Sequence, residues 1–255
     1  MKRSNKGNVL NNYVSKRKEL QEYTDMSYWF PKLQKITGIK LPKTILLNAN
    51  YRSLMNELLG DESVLPVTEK LVEKIISTSK DIGVPLFLRT GLTSAKHNWE
   101  NTCYVDNVDR KILIRHLYNI VEFSEIADMI GIGSNTWAVR EYLPVKTNLR
   151  IGLWGNMPVT KERRYFIDKG KVVHRQAYWD PEAVRQGKPS NILWEDILRD
   201  INRQFDDEVK LLTGLSETVG EVFPEYWSID WLYVGQEWYL TDMARGEISY
   251  KYTQK

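Results

Sequence analysis

The chain has 255 residues, 42% hydrophobic and 27% charged, with a single cysteine. That is globular composition with material for a sizeable core, and it excludes a wholly disordered chain, an internal disulfide framework and a cysteine-rich zinc site. Apolar runs such as 84–88 are too short to span a bilayer, and the polar, basic start lacks an apolar signal-like stretch, so a cytoplasmic protein without a membrane partner is expected (host cytoplasm if the source is viral).

The net charge of +3 is unevenly spread. Residues 1–43 carry ten Lys/Arg against Glu19, Glu22 and Asp25, while the remainder holds 26 basic and 30 acidic groups. Residues 1–25 have no apolar period and read as a basic, flexible arm, either solvated or holding a phosphate-rich partner such as nucleic acid.

Residues 26–83 read as an α-rich segment. Its clearest helix spans about 68–80, where Leu71, Val72, Ile75 and Ile76 share a face, Thr68 is placed to cap and Gly83 to stop it. Residues 84–89 read as a buried strand. A strong helix follows over 109–130, with Ile126 and Ile130 on its apolar face and Gly131 and Gly133 ending it. A strand over 136–143 precedes Pro144, and 162–178 read as a hairpin turning at Asp168-Lys169-Gly170. Residues 194–222 carry one long helical pattern that Gly214 is placed to bend or split, and a last hairpin spans 228–243. The order favours an α+β fold with mostly antiparallel sheets, divided as the arm, the 26–83 segment, a lobe over 84–140 and a C-terminal lobe over 141–255.

The chain has no P-loop, no Gly-x-Ser-x-Gly elbow and no His-Glu-x-x-His. Gly131-Ile132-Gly133 follows a helix and precedes a strand, the reverse of a dinucleotide fingerprint, and reads as a helix stop.

What stands out is charge within strands, where burial makes charge costly. A buried strand delivers Arg89, and a loop of Gly91, Thr93 and Ser94 leads to Lys96; the two cations suit a polyphosphate or an ordinary surface loop equally. In the segment Trp137-Ala-Val-Arg-Glu-Tyr-Leu-Pro144, an extended end beside apolar side chains suits the edge and faces of a purine, although taken alone the segment reads first as an ordinary strand end. In Glu162-Arg163-Arg164-Tyr165-Phe166-Ile167, alternation puts Arg164 on the face of Glu162, so Arg164 is expected to face a charged site and Arg163 solvent. A three-residue loop at Gly235–Glu237 sets Asp230 directly opposite Asp242, where like charges repel unless a divalent cation such as Mg²⁺ lies between them.

Taken in order, a cationic strand and loop, an Arg-Glu-Tyr-Leu hinge, a Glu-x-Arg strand before a Gly turn and two aspartates on a terminal hairpin resemble the ATP-grasp superfamily over about residues 84–250. The pattern is most similar to its small, divergent phage and bacterial members, in which the usual phosphate-binding lysine is displaced and an arginine shares its work. The resemblance implies ATP clasped between two α+β lobes, with Mg²⁺ on the C-terminal one. It implies a ligase that activates a carboxylate as an acylphosphate for attack by an amine or thiol. Carried over by motif, Arg89 and Lys96 contact phosphates, Glu141, Tyr142 and Leu143 contact adenine, Arg164 faces phosphate or the acylphosphate, and Asp230 and Asp242 hold the metal. The family's closing Glu-x-Asn is here Asp242-Met243-Ala244, and Arg245, Glu247 or Ser249 are the candidates to substitute, Arg245 as a catalytic residue. Trp154, Trp179 and Trp194 are candidates to line the acceptor site or to pack a core. The rival readings are an ATP-binding assembly or regulatory factor without ligation, and a nucleic-acid-binding protein using the basic arm.

Overall fold

The computed structural model describes residues 22–60, 64–127 and 133–252. Most of the basic arm, and Ile130 and Gly131 at the end of the long helix, therefore lie outside the described residues. The arm's expected end at residue 25 needs correcting. Helix α1 (Met26–Leu33) is capped by Asp25, whose carboxylate accepts the Ser27 amide at 2.8 Å and also takes the Ser134 hydroxyl. Thr24 is buried and its carbonyl accepts Trp29 Nε1 at 2.9 Å, so the packed body starts before Met26.

Two four-stranded antiparallel sheets dominate the fold. The first has the order β1-β4-β2-β3, from Thr44–Asn48, Leu86–Thr90, Tyr104–Val105 and Thr136–Glu141, numbered in chain order. Strand β1 lies within the segment read as α-rich; it pairs with β4 and so joins that segment to the first sheet. Helices α2 (Tyr51–Leu59), α3 (Pro66–Ile82) and α4 (Arg110–Ala127) share a core with this sheet. Helix α3 starts earlier than Thr68. Pro66 fits its first position, and the cap comes from another helix: Glu57 accepts the amides of Val67 and Thr68 at 3.0 and 2.8 Å. Gly83, at φ +95°, ends it as expected. In α4, Ile126 is exposed instead of facing the core.

A small pair, β5 (Arg150–Ile151) and β6 (Met157–Pro158), precedes the second sheet, ordered β10-β9-β7-β8. Its strands are β7 (Glu162–Asp168), β8 (Lys171–Ala177), β9 (Trp227–Val234) and β10 (Glu237–Arg245). Helix α5 (Pro181–Gln186) follows β8. The pattern over 194–222 forms two helices, α6 (Trp194–Asn202) and α7 (Asp206–Val222). The break falls at Arg203–Phe205, not at Gly214, which lies inside α7 with open space around its Cα. Arg163 explains the position of the break. It is fully buried beneath these helices, paired with Glu208 at 2.5 Å, and its guanidinium donates to the carbonyls of Ile201 and Arg203 at 3.0 and 2.7 Å. The expectation that Arg163 faces solvent is thus overturned: both arginines of the strand are held by carboxylates, one on each face of the sheet. Helix α1 shares a core with Ala138 of the first sheet and with Trp227, Ile229, Trp231 and Leu240 of the second, so it ties the two together.

Candidate functional site

The two sheets meet at a cleft of about 670 Å³, open solvent included, lined by Arg89, Lys96, Arg140, Glu141, Tyr142, Leu143, Glu162 and Asp242 together with apolar side chains. Four segments singled out in the sequence converge there.

From the first sheet, β2 brings Arg89, 3% exposed, whose Nη1 lies 2.9 Å from Asp242 Oδ1 on β10. The loop after β2 is fastened by Thr90, whose hydroxyl accepts the Thr93 amide at 3.0 Å, and it delivers Lys96 to 3.7 Å from Glu162 Oε2. A Cβ at Gly91 would lie 2.4 Å from the Asp25 carboxylate, so a side chain there would displace the cap of α1. Strand β4 brings Arg140, which sequence reasoning gave no role although it opens the Arg-Glu-Tyr-Leu hinge. Its Nε donates to Thr44 Oγ1 at 3.0 Å and its Nη1 to the Thr241 carbonyl at 2.6 Å. Burial and the neighbouring Arg89 cation push its pKa down to about 9, so a further anion in the cleft would relieve this site.

At the end of β4, Glu141 turns its carboxylate to the Lys43 amide at 2.6 Å, and its own amide donates to the Lys43 carbonyl at 2.9 Å. Glu141 therefore anchors the hinge with its side chain. Among the described residues the main-chain groups of Tyr142 and Leu143 make no hydrogen bond, beside a cleft wall of Phe87, Trp99, Met157, Trp179 and Leu232. Free backbone donors and acceptors next to apolar faces fit a flat heteroaromatic ring.

From the second sheet comes one cross-strand row: Gln176 opposite Arg164, Arg164 opposite Asp230, Asp230 opposite Asp242. The expected pairing of the aspartates is present, but it arises differently. The turn has two residues, Gly235 and Gln236, both with positive φ, and a bulge at Thr241 restores the Asp230–Asp242 register. The bulge also explains the carbonyl that reaches Arg140. Nor do the aspartates stand unpaired. Arg164 donates Nε and Nη2 to the two oxygens of Asp230, both at 2.7 Å, and Arg89 holds Asp242.

The electrostatics follow from these pairs. Burial disfavours the Asp242 anion, yet Arg89 and Lys96 outweigh it and hold its pKa below the usual 3.8. Burial likewise opposes the Lys96 charge, but Tyr178, Glu162 and the two aspartates raise its pKa. Glu162 is moved up, because its burial outweighs the pull of Lys96. The ring of Tyr178 carries Lys96 and Arg164 at 5.1 and 4.9 Å from its centroid.

Arg245 does not join this group. Strand alternation from Asp242 turns it to the other face, where it lies over Trp227 and pairs with Glu247, so its expected catalytic place is corrected. Ser249 bonds Ser228 and the Arg245 carbonyl. Of the three tryptophans, Trp179 lines the cleft and donates Nε1 to the Thr160 carbonyl at 2.8 Å, while Trp154 and Trp194 pack against a neighbouring core.

Among the described residues no group of three or more His, Cys, Asp or Glu gathers as a metal site. Asp230 and Asp242 offer hard oxygen donors of the kind Mg²⁺ takes, and an arginine holds each of them here. No helix of the described residues is long and apolar enough to cross a membrane.

No protein-family model and no curated protein sequence matches the chain. Solved structures do. C-terminally truncated Cdc123 from Schizosaccharomyces pombe is 14% identical with a TM-score of 0.59, covering 89% of this chain and 85% of that one. The biotin carboxylase domain of the Hydrogenobacter thermophilus 2-oxoglutarate carboxylase, solved with MgADP and bicarbonate, is 13% identical with a TM-score of 0.50; 89% of this chain matches 40% of that one. A RimK domain ATP-grasp protein from Sphaerobacter thermophilus also matches, at 12% identity and a TM-score of 0.45, over 88% of this chain and 58% of that one. At such identities the likeness is one of fold alone: the chain shares with the Cdc123 and biotin carboxylase structures a mixed α/β architecture with antiparallel sheets.

Proposed function

We propose that the chain is an ATP- and Mg²⁺-dependent ligase that activates a carboxylate as an acylphosphate and transfers it to an amine or thiol. The observation that carries this reading is the convergence of Arg89, Lys96 and Arg164 with Asp230 and Asp242 beside the unbonded hinge of Tyr142 and Leu143. The lobes over 84–140 and 141–255 would close on the nucleotide, with β1 completing the sheet of the first. The hinge backbone takes the adenine edge, and Phe87, Trp99, Met157 and Leu232 cover its faces. Arg89, Lys96 and Arg164 align and neutralise phosphate oxygens, which is most of what phosphoryl transfer asks of a protein. Asp230 and Asp242 would hold Mg²⁺, which when bound supplies charge neutralisation on the phosphates. Arg89 and Arg164 then leave the carboxylates for the phosphates, so binding exchanges one set of ion pairs for another.

A second reading, nucleotide binding without ligation in an assembly or regulatory role, is favoured by Ala244 at the usual Asn position and by the arginine already seated on each aspartate. Calorimetry with a non-hydrolysable ATP analogue, with and without Mg²⁺, tests the site, and ADP release on adding pools of carboxylates and amines separates the readings. Mg²⁺-dependent binding with substrate-dependent ADP release supports the ligase. Binding without turnover supports the second reading, and no binding removes both.

A further inference from the structure

The C-terminal segment crosses the same sheet face as the candidate site. Ser249 is fixed to Ser228 on β9 at 2.6 Å. The Tyr250 carbonyl accepts from Arg164 Nη1 and from Gln176 Nε2, both at 3.4 Å. The Tyr250 hydroxyl donates to Asp180 Oδ2 at 2.7 Å, and the Tyr252 hydroxyl to the Ala177 carbonyl at 2.9 Å. Lys251 lies over Phe166 at 4.4 Å. This strap contributes no buried apolar side chain, and Tyr250 is 58% exposed, so hydrophobic burial does not account for its path.

The Tyr250 carbonyl takes the Nη1 of Arg164 that Asp230 leaves open, and at the same point it accepts from Gln176, which is 1% exposed. Two converging donors, one of them a permanent cation, make a better site for a carboxylate than for a neutral carbonyl, because the charged acceptor forms the stronger bond. We propose that the Arg164–Gln176 edge binds the C-terminal carboxylate of a peptide whose last side chain reaches Asp180, and that Ser249–Tyr252 is a built-in competitor for that site. The inference rests on the ligase reading only for the chemistry that follows binding. A tethered competitor acts at an effective concentration on the order of millimolar, so a free peptide meets a penalty that loosening the strap removes.

The probe is acetyl-Ser-Tyr with a free carboxylate, which puts its carboxylate where the Tyr250 carbonyl lies; the matching C-terminal amide is the control. Binding is measured by calorimetry without nucleotide on the full chain and on the full-length double variant Tyr250→Ala/Tyr252→Ala, which leaves Arg164 and Gln176 intact. The acid should bind the loosened variant about tenfold or more tighter than the wild type, and tighter than the amide. Adding Gln176→Ala should remove most of that gain. Trypsin cleavage after Lys251, followed by intact mass, is the second measurement: saturating acid dipeptide should speed it in the wild-type chain. Equal affinity in wild type and loosened variant, or no preference for acid over amide, overturns the proposal. With no ATP in either assay, these results stand apart from success or failure of the nucleotide reading.

Discussion

Arg89 Nη1 lies 2.9 Å from Asp242 Oδ1 and so joins β2 of one sheet to β10 of the other across the floor of the cleft. A residue suited to phosphate and one suited to a metal thus neutralise each other. The pair tethers the two sheets at the cleft between them.

Asp242→Asn therefore should destabilise the protein on its own, contrary to what two repelling aspartates would imply. The substitution leaves Arg89 buried without its anion, a loss of about 1–3 kcal/mol. The Asp242 pKa is lowered, so its stabilising contribution is complete above the ordinary value of 3.8 and is lost as pH falls through the folded value below it. Urea unfolding at pH 7 should show the gap between wild type and variant, and that gap should close as the medium is acidified below 3.8. Equal stability at pH 7 would refute the pairing.

Lys96→Met should keep the fold and lose nucleotide chemistry. Among the described residues Glu162 and the Tyr178 ring are the close partners of Lys96, and Met keeps the stem. Loss of one charge-stabilising group typically costs on the order of 10²-fold in rate. Unchanged nucleotide affinity and turnover in a folded variant would remove Lys96 from the phosphate site.

Arg163→Met should cost about 3–5 kcal/mol, because it strands Glu208 inside the protein and frees the carbonyls of Ile201 and Arg203. Thermal and urea unfolding measure it. Lys161, the second partner of Glu208, keeps the loss toward the lower end. A loss under about 1 kcal/mol, the worth of a surface pair, would mean that Arg163 is not buried as described.

Asp25→Ala should lower stability by about 0.5–2 kcal/mol, the range for loss of a helix cap. The Ser134 hydroxyl loses its acceptor at the same time, which favours the upper part of that range. A melting temperature equal to that of the wild type would show that the body starts after residue 25.

Much of the site could be read from the sequence because strand residues alternate and charge inside a strand demands a reason. Arg89, Lys96, Asp242 and the 141–143 hinge do line one cleft, and Arg164 and Asp230 stand in the row beside it. The Asp230–Asp242 register was legible for the wrong reason. A three-residue loop and a two-residue turn followed by a bulge give the same pairing, and alternation alone cannot tell them apart. Alternation also divides Arg163 from Arg164 without saying which face is wet, and both faces prove to be covered.

The sequence by itself determined most of the long helices and hairpins, the antiparallel character of the sheets and the residue kinds at the cleft, since these depend on local periodicity and on the cost of burying charge; it missed β1, whose pairing is long-range. Only the tertiary structure decided the partners. That Arg89 meets Asp242, that Glu57 caps α3, that Arg140 reaches the Thr241 bulge and that Tyr250 lies on Arg164 are all contacts between residues far apart in the chain. No local pattern encodes such contacts, because each depends on packing: of the two sheets for Arg89 and Arg140, of α2 on α3 for Glu57, and of the C-terminal segment on the second sheet for Tyr250.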